Sequence, residues 1–161
     1  MALGDCYRPQ YHFSPPQNWM NDPNGLVFYQ GEYHLYYQHN PYGTAWGHMS
    51  WGHAVSTNLV HWTRMPIAIY EAPAAGYTIF SGSAVIDRQN TSGLGSLQRP
   101  PLVAVYTADY RGDDSVEAER RQDVHIAYSL DRGRTFAQNH GNPVIRVDDP
   151  KFGDPKVFWH N

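Results

Sequence analysis

Cysteine is nearly absent from this sequence. Cys6 stands alone, which excludes an intrachain disulfide and a cysteine-cluster metal site without identifying a compartment. A surplus of positive charge is missing as well: 12 Lys and Arg face 15 Asp and Glu, with no basic run. A nucleic-acid backbone therefore finds no electrostatic footprint, and no such partner is expected. No stretch nears the roughly 20 apolar residues that span a bilayer, and the opening MALGDCYRPQ lacks the apolar core of a signal peptide. The expectation is a soluble domain with no membrane partner. Helical spacing is also lacking, since no window of about a dozen residues sustains apolar positions at i, i+3, i+4 and i+7. What is abundant is aromatic and turn-forming: 12 Tyr and 5 Trp, with 14 Gly and 12 Pro. That mixture suits short strands joined by tight turns, and the chain reads as all-β.

Short runs rich in Val, Ile, Tyr and Phe recur between turn residues. Leu26 to Tyr29 and Tyr33 to His39 flank Gln30-Gly31-Glu32, a hairpin spacing with Gly31 at positive φ. A third strand is predicted at Trp51 to Ser56, and a fourth at His61 to Tyr70, whose Pro66 cannot donate to a ladder and so marks an edge. The pattern then restarts with Ser83 to Asp87, Leu102 to Tyr110, Asp123 to Leu130 and a weak run from Thr135. Trp51-Gly-His-Ala-Val-Ser56 and Val124-His-Ile-Ala-Tyr-Ser129 match at an offset of 73 residues. A third cycle opens at Asp154-Pro155-Lys156-Val157-Phe158-Trp159, echoing Asp22 to Phe28.

Repeated four-stranded units are the mark of a β-propeller. The expected fold is a partial propeller of antiparallel blades: about two, plus the first strand of a third. Ser129-Leu-Asp-Arg-Gly-Arg-Thr-Phe136 resembles the Asp-box turn between outer propeller strands, in which the Asp131 carboxylate accepts backbone N–H groups and Gly133 relieves strain. Two blade faces left open would promote self-association.

The densest polar cluster is Asn18-Trp-Met-Asn-Asp-Pro-Asn-Gly25. Taken alone it reads as a turn. Its company is more specific: Tyr37-Gln-His-Asn-Pro41, Trp46-Gly-His-Met-Ser-Trp-Gly-His-Ala54, Phe80-Ser-Gly-Ser83 and Asp154-Pro-Lys-Val157 follow in order. From about Tyr11 onward the chain resembles glycoside hydrolase family 32, which contains invertases, exo-inulinases and levanases. The resemblance implies a five-bladed propeller, usually followed by a β-sandwich. Residues 1–161 would be its N-terminal part, with the remaining blades and the sandwich absent. It also implies retaining hydrolysis of terminal β-D-fructofuranosyl bonds, with sucrose, inulin or levan as substrate, no cofactor, and an extracellular setting.

Residue by residue, the resemblance makes Asp22 the nucleophile and Asp154 the transition-state stabiliser. Trp19, Asn21, Gln38, Trp46, Phe80 and Ser81 become fructose contacts. Retention needs two carboxyl groups, one attacking and one protonating the leaving oxygen. The family's general acid lies in a Glu-Cys motif, which is absent here. Of four glutamates, Glu32 falls in the predicted hairpin turn and Glu117 and Glu119 in a charged connection; neither these nor Glu71 is a convincing replacement. Gly153 stands where the family has Arg before Asp-Pro, which removes a fixed charge and its donors from the sugar site. These departures support an alternative, a non-catalytic carbohydrate-binding fragment. A sialidase-like propeller, which the Asp-box alone would allow, lacks an evident arginine cluster. Nine histidines invite a metal, but His34/His39 and His48/His53 are five apart, on opposite strand faces, and no metal is expected.

Overall fold

The computed structural model describes residues 7–9, 11–110 and 121–160. Cys6, Glu117 and Glu119 lie outside them.

The first sheet is a four-stranded antiparallel meander of β1 (Met20–Tyr29), β2 (Glu32–His39), β3 (Ser50–Ser56) and β4 (Thr63–Ile69) in that order. The hairpin between β1 and β2 turns on Gln30 at φ 48° and Gly31 at φ 88°, the left-handed pair that matches strand twist. Pro66 sits in β4, an edge strand, as its missing N–H demands. That strand starts two residues later than expected because the Asn58 side chain takes the N–H of Val60 and His61 for the preceding turn.

The second sheet contains β5 (Thr78–Ile86), β6 (Leu102–Tyr110) and β7 (Arg121–Ser129), again antiparallel. Its outer strand comes in two pieces, β8 (Ala137–Gln138) and β9 (Ile145–Arg146), both paired to β7. Between them the turn-forming Asn139-His-Gly-Asn-Pro143 cannot continue a ladder, and the Asn142 amide fills the gap. Its Nδ2 donates to Ile126 O at 2.9 Å, and its Oδ1 accepts Ile126 N–H at 2.8 Å, so a side chain replaces a missing peptide. The 73-residue offset is real in space: Ala54 and Ala127 lie on the third strand of each sheet, and Ser56 and Ser129 each end that strand and accept turn N–H groups.

The core lies between the sheets. Tyr36 and Trp51 from the first are received by Ile79, Ala104, Ala108 and Ala127 of the second, with Tyr106 edge-on to Trp51 at 6.1 Å. Small residues opposite large rings let the two faces interlock. Two expectations need correction. β1 begins at Met20 rather than Leu26, and β5 at Thr78 rather than Ser83, because Asn21 to Gly25 and Phe80 to Gly82 form bulged strand and not turns. The predicted third-cycle strand at Asp154 is not a strand: residues 154–159 make no ladder bonds and are tied to β5 and β6 through side chains. Among the described residues no further strand pairs with them.

Candidate active site

The first strands of the two sheets, β1 and β5, lie against each other, and their bulges face one cleft. Its volume is about 410 Å³, and Asp22, Ser81, Ser83, Asp154 and Lys156 are among the residues lining it. Three stretches far apart in the chain are thus brought to one place. The Ser81 hydroxyl donates to Asp22 Oδ2 at 2.8 Å. A hydroxyl donor fixes the orientation of the carboxylate it bonds. Asn21 does not supply that bond; its Oδ1 accepts the Trp19 indole N–H at 3.3 Å.

The bulge also carries Asn24, which sequence reasoning did not single out. It is buried, its Oδ1 accepts Gly82 N–H at 3.2 Å, and its Nδ2 has no partner although the residue lines the cleft. An orphaned amide at a cleft wall is a donor awaiting an acceptor. Gln38, at the end of β2, is likewise buried with an unpartnered Nε2. Trp46 is 45% exposed and meets Phe80 edge-on at 6.2 Å, an apolar corner one residue from Ser81. Trp19 is anchored through its backbone to Gly43 O and Asn40 N. Gln38, Trp46, Phe80, Trp19 and Asn21 are not among the residues lining the cleft.

No glutamate lines the cleft among the described residues. Glu32 is paired to Arg134 at 2.6 Å, and Glu71 accepts from His48 Nδ1 at 2.8 Å. No group of three His, Cys, Asp or Glu is placed to hold a metal among those residues. The contact that forms between histidines joins His34 to His53 across β2 and β3, 3.2 Å apart, and neither sequence-adjacent pair.

Two adjacent four-stranded antiparallel sheets, their first strands flanking one cleft that Asp22 and Asp154 line, have the form of β-propeller blades. The crystal structure of exo-inulinase from Aspergillus awamori superposes with a TM-score of 0.85 at 45% identity, covering 96% of this chain and 33% of that one. A β-fructofuranosidase from Schwanniomyces occidentalis complexed with fructosyl-erythritol gives 0.82 at 44% identity, over 95% and 29%. Levanase of Bacillus subtilis is 56% identical over 155 residues, 96% of this chain and 21% of levanase. The chain belongs to glycoside hydrolase family 32: the family's N-terminal domain model, described as "Glycosyl hydrolases family 32 N-terminal domain", matches residues 12–161. It spans between about a fifth and a third of the length of these relatives.

Proposed function

We propose that this chain forms the nucleophile-bearing part of a retaining β-fructofuranosidase acting on terminal fructosyl units of sucrose or fructans. The observation that carries the reading is that Asp22 and Asp154 line one cleft, with Ser81 donating to Asp22. Asp22 attacks the anomeric carbon of fructose. The bond to the leaving oxygen breaks as a general acid protonates it, leaving a covalent fructosyl ester that water then hydrolyses. Asp154 accepts hydrogen bonds from fructose hydroxyls and stabilises the positive charge that develops in the ring. The family's acid belongs to a Glu-Cys motif that these 161 residues lack, and a polypeptide of these residues alone does not turn fructosides over.

In the complete protein, release of fructose from sucrose, inulin or levan is the expected activity, and failure on all of them would reject the substrate class. Asp22→Asn keeps the shape and removes the attacking charge. It should lower kcat by about three orders of magnitude or more while shifting KM little. Near-normal turnover by that variant would exclude Asp22 as nucleophile.

A further inference from the structure

Asp154 and Pro155 are tied to β6 and β5 by side chains. Among the described residues, no backbone–backbone hydrogen bond joins residues 154–159 to either sheet. A carboxylate whose reach matters to within a fraction of an ångström needs fixed backbone beneath it. Two buried hydroxyls of the sheets hold this backbone. The Thr107 Oγ1 on β6 accepts the Asp154 N–H at 2.8 Å, and Thr107 is fully buried. On β5, the Ser83 hydroxyl donates to Pro155 O at 2.8 Å while its oxygen accepts Val157 N–H at 2.8 Å. One residue thus grips both sides of Lys156. Further along, the Trp159 indole N–H donates to Ile86 O at 2.8 Å and sets the direction of the segment.

The local backbone shows why a grip is needed. Asp154 has φ 54°, a left-handed conformation that a side-chain-bearing residue keeps only when its surroundings enforce it. Gly153 belongs to the same device. A Cβ at that position would approach Thr107 Oγ1 to 3.0 Å and Gln122 Oε1 to 3.1 Å, so the bare glycine lets the threonine hydroxyl come close to the next amide. Gln122 is held in turn, its Nε2 donating to the buried Asp109 at 2.8 Å. Mid-strand Thr107 carries no local sequence signal, and Ser83 reads as one more hydroxyl of the Phe80-Ser-Gly-Ser stretch.

We infer that Thr107 and Ser83 are positioning residues that set the Asp154 carboxylate opposite Asp22. Their two hydroxyls tie this segment to β6 and β5. The inference rests on the proposed fructosidase reading, since it assigns the hydroxyls a kinetic effect through Asp154.

The test is made in the complete protein with sucrose. Thr107→Val, near-isosteric but without the acceptor, should lower kcat by about 10- to 100-fold with KM changed less than about threefold, and Thr107→Ser should restore turnover to within about twofold of the original. Ser83→Ala should lower kcat in the same direction, which keeps the test usable if Thr107→Val fails to fold. In an Asp154→Asn background, Thr107→Val should cost less than about twofold more, because the group it positions is already gone. A merely structural threonine would lower the melting temperature and reduce kcat equally in both backgrounds. Full kcat in both Thr107→Val and Ser83→Ala, or equal losses in both backgrounds, would overturn the positioning role alone. Absence of turnover by the unsubstituted protein on every fructoside would instead overturn the functional reading and this inference with it.

Discussion

Asp131 shows how one residue carries a fold. Burial opposes its charge, but hydrogen bonds from Thr135, Ser129 and Arg134 outweigh that and hold its carboxyl below the usual carboxylate range. The turn it organises presents Gly133, at φ 78°, to the first sheet, where the Tyr36 hydroxyl donates to Gly133 O at 3.2 Å. A Cβ there would sit 2.3 Å from that hydroxyl. Gly133→Ala therefore combines left-handed strain with a clash between sheets, and should lower unfolding free energy by about 2–4 kcal/mol in denaturant melts. A change below about 1 kcal/mol would show that the turn does not dock as described. The Asp-box was legible because Ser129 to Phe136 bond within one turn. Its use as the dock for Tyr36 was not, because nothing local in Gly133 names a partner 97 residues away. The same limit applies to the site. Asp22, Ser81 and Asp154 were legible as motif residues, whereas Asn24 and Thr107 are defined only by what the fold brings to them.

Elements were legible where composition and periodicity agreed, and obscured where a bulge or side chain took over backbone duties. β2, β3 and β6 show clear apolar runs bounded by turn residues, and they form almost where expected. Asn21 to Gly25 has the composition of a turn, yet pairing of Pro23 with Tyr37 and of Asn24 with Tyr36 on β2 holds it as bulged strand, a tertiary override of local preference. Those bulges bring Asp22 and Ser81 into one cleft. The weak run from Thr135 became two fragments because Asn142 substitutes for a stretch of ladder. That substitution is testable at one amide. Asn142→Ala leaves the Ile126 N–H without its 2.8 Å acceptor, and hydrogen exchange at Ile126 should quicken about tenfold or more, the equivalent of about 1.4 kcal/mol of local opening. Unchanged protection there would mean that another acceptor serves.

At the scale of the whole molecule, the two-sheet core is aromatic and hides imidazoles that cannot readily be charged. His34, His53 and His125 are 0%, 0% and 3% exposed. Burial, aided by Arg134 for His34 and by the neighbouring His34 for His53, holds that pair well below the ordinary histidine range, and burial brings His125 down to about 4. The unfolded chain takes up these protons near pH 6.5, and the folded chain only at much lower pH, so the unfolded state binds more protons as acid is added. Their contribution is whole above about pH 6.5 and is lost progressively as pH falls toward the folded values. Glu32, Asp87 and Asp131 behave differently. Their lowered values add stability that begins to fail only below about pH 4.5, where carboxylates of the unfolded chain protonate. Between pH 6.5 and 5, acid instability is therefore a histidine effect, on the order of 2–4 kcal/mol for about two protons. Thermal melts over that range should show a falling midpoint, and His125→Phe, which keeps a ring against Tyr77 and Tyr106, should flatten the slope. A midpoint constant from pH 7 to 5, or a slope untouched by His125→Phe, would mean that the histidines take up protons without unfolding the core, and that the space between the sheets is wetter than its packing indicates.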